Sequence, residues 1–399
     1  MIRRFCKVAN PGCSRLLAGS IFAAILLATA PPAHPQGMTK GSNEWLMYVG
    51  TYTNKQSKGI YAYRFQASGK FTPLGLVAET SSPSFLVVDR NQKFLYAANE
   101  LLKYEGRPAG SISAFAIDAA TGQLKLLNKV SSKGAGPCHV SLDETGKWLF
   151  AANYDGGSLA VFPVHEDGSL GEASSVIQHT GSSVDHERQS SPHAHSAYVS
   201  PGNRFVLVDD LGLDHVMVYR LDAAKGTLMP DDPPFAKLAP GSGPRHLAFG
   251  KDGKFVYVLS EMAATVTTFS YNASAGSLTQ TQTISMLPAD YAGLKSAAEI
   301  FVHPNGKFLY ASHRGDNTIA IFRIDPGTGA LTAAGRVSTQ GKTPRNFAID
   351  PTGAFLLAAN QDSGSIVVFR IDQATGALTP TGDNLNVASP VCIVFARAH

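Results

Sequence analysis

Residues 344–378 read PRNFAIDPTGAFLLAANQDSGSIVVFRIDQATGAL. An apolar run leads to a Pro-Thr-Gly turn, and a second apolar run closes on Ala358-Ala359-Asn360. A Ser-Ile-x-x-Phe segment and a Gly-x-Leu follow. Short runs rich in β-branched and aromatic residues, punctuated by Gly, Pro, Asn and Asp, are the signature of strands joined by tight turns. The same unit recurs upstream. Its turn falls at Gln92-Lys93, Gly146-Lys147, Gly202-Asn203, Gly253-Lys254, Gly306-Lys307 and Gly353-Ala354, at steps of 47 to 56 residues. Its third segment centres on Phe115, Phe162, Tyr219, Phe269, Phe322 and Phe369. Its fourth opens at Leu124, Leu170, Leu228, Leu278, Leu331 and Leu378.

Four short strands per repeat are the content of a propeller blade. Six copies are complete. A seventh is split: 46–51, 60–65 and 71–77 match strands two to four, and 390–395 matches strand one. Pairing of the last strand with the first ones closes the ring and removes the exposed edges on which β-proteins aggregate. The expectation is an all-β, seven-bladed β-propeller over residues 45–397, preceded by a signal peptide at 1–30 and a linker at 31–44.

That preceding segment is distinct in composition. Arg3, Arg4, Lys7 and Arg15 come before an apolar run at 16–28, and Ala28-Thr29-Ala30 supplies small residues for cleavage. This is the layout of a secretory signal, so the mature protein is expected in the periplasm or outside the cell, with no membrane association after cleavage. The formal charge of +4 falls to zero without these four cations, which gives no argument for nucleic acid as a partner. Of the four cysteines, Cys138 and Cys392 remain in the mature chain; they fall on non-adjacent blades and are expected as buried free thiols.

Strand one of a blade lines the central channel and strand two runs back antiparallel, so the start of one and the end of the other share a face. Seven residues before the turn stand His139, His195, His246, Glu299 and Asn346, with Phe85 and Cys392 as the equivalents in the first and split copies; one place earlier stand Arg245 and Arg345. Eight residues after it stand Glu100, Tyr154, Asp210, Glu261, Arg314 and Gln361. Apolar strands are thus capped, copy after copy, by polar groups aimed at one funnel. Guanidinium forks match carboxylates and phosphates, so Arg245, Arg314 and Arg345 suit an anionic or oxygen-rich small molecule. The recurrent Asn99, Asn153 and Asn360 are expected instead to satisfy backbone groups. The longest excursion between blades, 172–192, carries His179, His186, Arg188 and Gln189 and is placed to roof the mouth. His193 and His195 form a candidate metal pair, but no third ligand follows at a telling interval; no metal or cofactor is expected.

The runs Pro192-His193-Ala194-His195, Asp209-Asp210-Leu211-Gly212-Leu213-Asp214, Gly243-Pro244-Arg245-His246, Ala298-Glu299-Ile300, Arg314-Gly315, and Pro344-Arg345 through Ala359-Asn360-Gln361 resemble the lactonase family of seven-bladed propellers. That family holds 6-phosphogluconolactonases of the propeller type and carboxy-muconate cycloisomerases. The resemblance implies hydrolysis of a sugar lactone and, from the cycloisomerase branch, a catalytic set at His195, Arg245, Glu261 and Arg314. His139, His193, Asp210, His246, Glu299, Arg345 and Gln361 are the candidate substrate-binding residues. In the expected chemistry Glu261 takes a proton from water, His195 protonates the departing ring oxygen, and Arg245 with Arg314 stabilise the oxyanion. Ser260, His313 and Asn346 depart from the residues usual in the family, which leaves the substrate open. The protein is expected to be a monomer whose partner is a small-molecule lactone or organic anion; a muconate-type lactonising cycloisomerase and a non-catalytic exported ligand- or protein-binding propeller are the alternatives.

Overall fold

The computed structural model describes residues 44–54 and 56–398. The expected signal peptide and all but the last residue of the expected linker lie outside the described residues; that last residue, Glu44, opens the strand Glu44–Thr51. The described residues form seven four-stranded antiparallel sheets and no helix. Blades one to six span residues 83–131, 137–178, 194–237, 244–285, 297–338 and 344–386. Blade seven joins Pro390–Arg397 to Glu44–Thr51, Gly59–Gln66 and Phe71–Glu79. Each inner strand packs on the next, and Pro390–Arg397 sits between Pro344–Ile349 and Pro83–Val88, so the ring is closed by non-covalent pairing of the two ends of the described chain.

The core is distributed accordingly. Seven apolar clusters lie one at each interface between neighbouring blades; the one joining blades seven and one gathers Leu46, Tyr48, Ile60, Leu86, Leu95 and Phe115. Inner and second strands face a neighbour on both sides, which is why segments such as Phe355–Asn360 are apolar almost throughout and buried at every position. The outermost strands, such as Leu378–Asn386, are exposed over most of their length.

The hairpin between strands one and two is set by short-range chemistry. In blade two, Asp143 Oδ1 accepts from the N–H groups of Lys147 and Trp148 at 2.8 and 2.9 Å, and Gly146 takes a positive φ of 70°. Asp89 does the same in blade one, and Asp350 Oδ1 accepts from Phe355 N in blade six. An Asp side chain that mimics a backbone turn, followed by a residue that tolerates the left-handed region, fixes where strand two begins. Blade three builds the turn with one difference. Its N–H that closes the turn onto Ser200 O belongs to Asn203, with φ of 59°, in the place of Gly146, Gly253, Gly306 and Gly353. Counting from Gly202 is therefore one residue out of step in this blade.

Candidate active site

Every inner strand carries a register shift just after its first residue. In six blades the first residue pairs with the last of strand two, the next one is left out of the ladder, and pairing resumes: Pro244 with Ser260, then His246 with Leu259, with Arg245 bulged between them; in blade five Ala298 and Glu299 are both left out, opposite Ser312. Cys138, Ser84, Arg345, Val391 and His195 occupy the same bulge in their own blades. A bulge tilts a side chain out of the alternating pleat, and its repetition in these six blades tilts these side chains toward one end of the channel. His195 thus belongs with Arg245 and Arg345, not with His139 and His246; Ser196 takes the latter position in blade three.

A second set of positions rims the same mouth. The residue after strand two donates its N–H to the carbonyl just ahead of the inner strand in every blade. These residues are Tyr52, Glu100, Tyr154, Leu211, Glu261, Arg314 and Gln361. Leu211 stands where Asp210 was expected. Asp210 instead pairs with Ala194 as Asn153 pairs with Pro137, and it is fully buried. Its carboxylate accepts from His193 N and Gly212 N at 2.8 and 3.0 Å and lies 2.6 Å from His179 Nδ1. Asp210 organises the loop.

The centre of the mouth is a cluster of guanidiniums around one carboxylate. Arg245 Nε and Arg314 Nη2 reach the same oxygen of Glu261, at 3.1 and 2.9 Å, and Arg188 Nη2 reaches the other at 2.8 Å. Arg245 also donates to Ala298 O, and Arg314 donates to Ala297 O at 3.1 Å. Tyr52 OH donates to both oxygens of Glu100, at 3.0 and 2.8 Å, and Arg345 lies over the Tyr52 ring, 5.3 Å from its centroid. Arg245 and Arg345 share a small recess with Cys138, His246 and Glu299. The three side chains from two neighbouring blades, Arg245, Glu261 and Arg314, therefore meet as the sequence predicts.

Electrostatics then separates their roles. Burial alone would raise the Glu261 carboxyl, but Arg314, Arg245 and Arg188 outweigh it and hold it at about 2. Burial disfavours the charge on Arg314 and brings it down to about 10, still protonated at neutral pH, because it faces other guanidiniums as well as Glu261. Both of its oxygens are taken by guanidinium donors, and a carboxylate so occupied is a poor proton acceptor, which speaks against the base role expected of Glu261. At His195, burial, then Arg245, His246 and Arg345, hold the imidazolium well below the ordinary range, so the ring is neutral and not ion-paired. Its Nδ1 lies 3.7 Å from Cys138 Sγ.

The remaining predicted residues fall at three levels. His193 is on the rim, stacked on Tyr154 at 4.5 Å with Nδ1 3.0 Å from Tyr154 O. His246 and Glu299 lie below the arginines on the channel axis. Arg245 Nη1 is 3.4 Å from His246 Nε2, and an arginine can only donate, so the His246 proton is on Nδ1, 2.8 Å from Glu299 Oε1. Asn346 Nδ2 donates to Glu299 Oε2 at 2.7 Å. His139 packs at a tilt against the Phe85 ring and lines a cavity of about 460 Å³ at the opposite end of the channel, walled by Val88, Val302, Ile349 and Phe395; it does not face the mouth. Gln361 lines a rim recess with Gln56 and Asp362, and no hydrogen bond from its side chain joins it to the arginines. Among the described residues no three His, Cys, Asp or Glu side chains are grouped to hold a metal ion. Cys138 and Cys392 are free and buried.

Turn counting does not find Tyr52, because the split blade has no turn between its first and second strands to count from. It finds Arg188 only as a loop residue. The out-of-step count in blade three was legible in Pro201, which aligns with Pro304 and Pro351 and puts Asn203 level with Gly306 and Gly353.

A closed seven-bladed ring with an arginine-lined mouth defines a class, and the comparisons place the chain within it. The family model described as lactonase, 7-bladed beta-propeller, matches residues 46–395, and the chain belongs to that family. It is 37% identical over 308 residues to the 6-phosphogluconolactonase of Bacillus subtilis strain 168, covering 77% of this chain and 85% of that protein. It is 38% identical over 312 residues to the 6-phosphogluconolactonase of Formosa agariphila, covering 76% and 86%. Among solved structures, the periplasmic gluconolactonase of Pseudomonas aeruginosa superposes with a TM-score of 0.85 at 37% identity, over 89% of this chain and all of that one.

Proposed function

We propose that this protein hydrolyses a sugar lactone at the arginine-lined mouth, with His195 as the proton-transfer residue. The observation that carries the reading is the convergence of Arg245 and Arg314 on one oxygen of Glu261, next to a neutral, buried imidazole. Two guanidiniums held in place by a carboxylate that stays ionised are preorganised donors for a carbonyl oxygen that gains negative charge. His195 takes a proton from water as the water oxygen attacks the ring carbonyl. The tetrahedral intermediate expels the ring oxygen, the imidazolium returns the proton to it, and the acid released ionises. Glu261 is a positioning residue in this scheme: it orients both arginines and keeps them charged.

Relatives named for lactone hydrolysis favour this reading over a lactonising cycloisomerase and over a purely binding propeller. No metal or cofactor enters it. We also infer export of a monomeric mature chain, supported by the N-terminal pattern of cations, apolar run and small residues and by the periplasmic origin in the name of one structural neighbour. The test is a lactone panel on the purified mature protein, with acid release measured above the spontaneous rate; no acceleration for any aldonolactone sinks the proposal. N-terminal sequencing of the protein from a cell fractionation tests export.

A further inference from the structure

Below the arginines the channel is interrupted by one layer of side chains. The rings of Phe85 and His139 pack with centroids 4.3 Å apart, and His246 lies 5.7 Å from the first and 5.4 Å from the second. His246 Nδ1 is 2.8 Å from Glu299 Oε1, which completes the layer. Phe85 and Glu299 face both ways: they line the small recess that holds Arg245 and Arg345, and they line the cavity of about 460 Å³ on the other side. That cavity is lined from the inner strands of six blades, and neither Arg245 nor Arg345 nor any other arginine or lysine reaches it. Its chemistry differs from that of the mouth.

Most of its wall is apolar, with Val87, Val140, Val302, Ile349, Val394 and Phe395 among the lining residues. Most of its polar groups are already engaged. Ser141 Oγ donates to Ala197 O at 2.7 Å. Glu299 Oε1 also accepts from Ile300 N at 3.0 Å, and its Oε2 accepts from Asn346 Nδ2 at 2.7 Å. Asn346 Oδ1 accepts from Ile393 N at 3.0 Å. Two groups stand apart. Ala197 N donates to His139 Nδ1 at 3.4 Å, so the His139 proton is on the distal Nε2. That N–H has no hydrogen-bond partner among the described residues, although His139 is only 1% exposed. The Tyr198 ring lies beside it, 4.7 Å between centroids, and the Tyr198 hydroxyl has no partner among the described residues either. Buried donors are as a rule satisfied, and these two sit together on the wall of one cavity.

We propose that this cavity is a second binding site, separate from the mouth, for a small uncharged molecule with an apolar body and one hydrogen-bond-accepting oxygen, such as an aromatic ketone. The oxygen takes the His139 Nε2 proton beside the Tyr198 hydroxyl, and the body covers the valines, Ile349 and Phe395. The charge of the lining selects against ions. An anion would lie near Glu299 with no cation to meet it, and a cation would find both Glu299 oxygens already taken. The volume is that of a small-molecule pocket, within the range of about 300–1,000 Å³.

The test is isothermal titration calorimetry of the purified protein with acetophenone, with toluene, which lacks the acceptor, and with benzoate, which adds a charge. Acetophenone is expected to bind saturably, about two- to tenfold tighter than toluene, the net worth of one hydrogen bond, and tighter than benzoate. His139→Phe should erase the advantage over toluene. Val394→Trp and Val87→Trp each put an indole into the cavity and should abolish binding; whichever keeps the wild-type melt is used for the comparison. Crystals of the unaltered protein with 4-bromoacetophenone give a reading that needs no variant: the bromine's anomalous signal should lie inside the cavity lined by Phe85, Val302 and Phe395. Benzoate or toluene bound as tightly as acetophenone, a bromine placed elsewhere, or no saturable binding at all each overturns the proposal.

Discussion

Glu261 in blade four and Arg314 in blade five form an inter-blade ion pair at 2.9 Å, with the carboxylate side chain only 8% exposed. The pair ties a stability element to the arginine-lined mouth, because the same carboxylate oxygen also takes Arg245.

Glu261→Gln removes the one charge that offsets three guanidiniums. Breaking a buried ion pair from one side typically costs about 3–5 kcal/mol, so thermal unfolding should shift clearly downward. The freed arginines also repel one another, and kcat/KM should fall about a hundredfold or more as the oxyanion donors lose their geometry. Unchanged kinetics in a destabilised variant would remove Glu261 from the site.

His195→Gln should lower kcat by about 10²–10⁴-fold with a small change in KM, as expected for loss of a proton-transfer group. The wild-type pH profile carries the sign. A base must be unprotonated, and burial with the neighbouring cations holds His195 well below its ordinary range. Activity should be flat through neutral pH and fall only as the solution becomes acidic. A rate that rises steadily from pH 6 to pH 8 contradicts this role.

Asp210→Asn separates a loop anchor from a ligand contact. The substitution puts an amide opposite the donors His193 N and Gly212 N and the ring of His179. Leaving such buried partners mismatched costs about 1–3 kcal/mol, so the melting temperature should drop while KM below the melt changes little. A large KM change with stability intact restores Asp210 as a binding residue.

Stability should itself depend on pH in two opposed ways. Burial raises Glu299 from its ordinary 4.5 to about 7, against the pull of Arg245. The folded state then keeps a proton that the unfolded chain has released, and this contribution to stability declines as pH rises from about 4.5 to about 7. Glu261, held at about 2, adds stability above 4.5 that disappears as pH falls toward 2. Buried His139, His195 and His246 oppose the Glu299 contribution, because their imidazoliums are disfavoured in the fold and the unfolded chain takes up protons below about 6.5 that the folded one refuses. Glu299→Gln should make stability rise more steeply with pH between about 4.5 and about 7 than it does in the wild type, and an unaltered slope would assign the acid-favouring contribution to other groups, such as the buried Asp209, which is also raised to about 7.

A chain ending at Ser389 lacks the inner strand of blade seven and exposes the edge of Glu44–Thr51, whose Leu46, Met47, Tyr48 and Val49 are fully buried in the ring. It should be insoluble or lose its cooperative melt. A soluble truncated protein with wild-type unfolding would show that closure is dispensable.

Repetition made most of this molecule legible in its sequence. The turn, the Ala-Ala-Asn ending and the recurrent Phe and Leu positions report local backbone chemistry and strand alternation, which are encoded within a few residues of one another; they sufficed for the blade count, the split closure and the meeting of Arg245, Glu261 and Arg314. What only the tertiary structure decided depends on single-residue register and on contacts across blades. The bulge in each inner strand, and Asn203 as the turn residue of blade three, moved His195 up to the mouth and Asp210 down into the frame, because one residue of slip in a strand reverses which way a side chain points. The chemical role of Glu261 likewise depends on three arginines brought from a loop and two blades, and a charge's surroundings in space cannot be read from its neighbours in sequence.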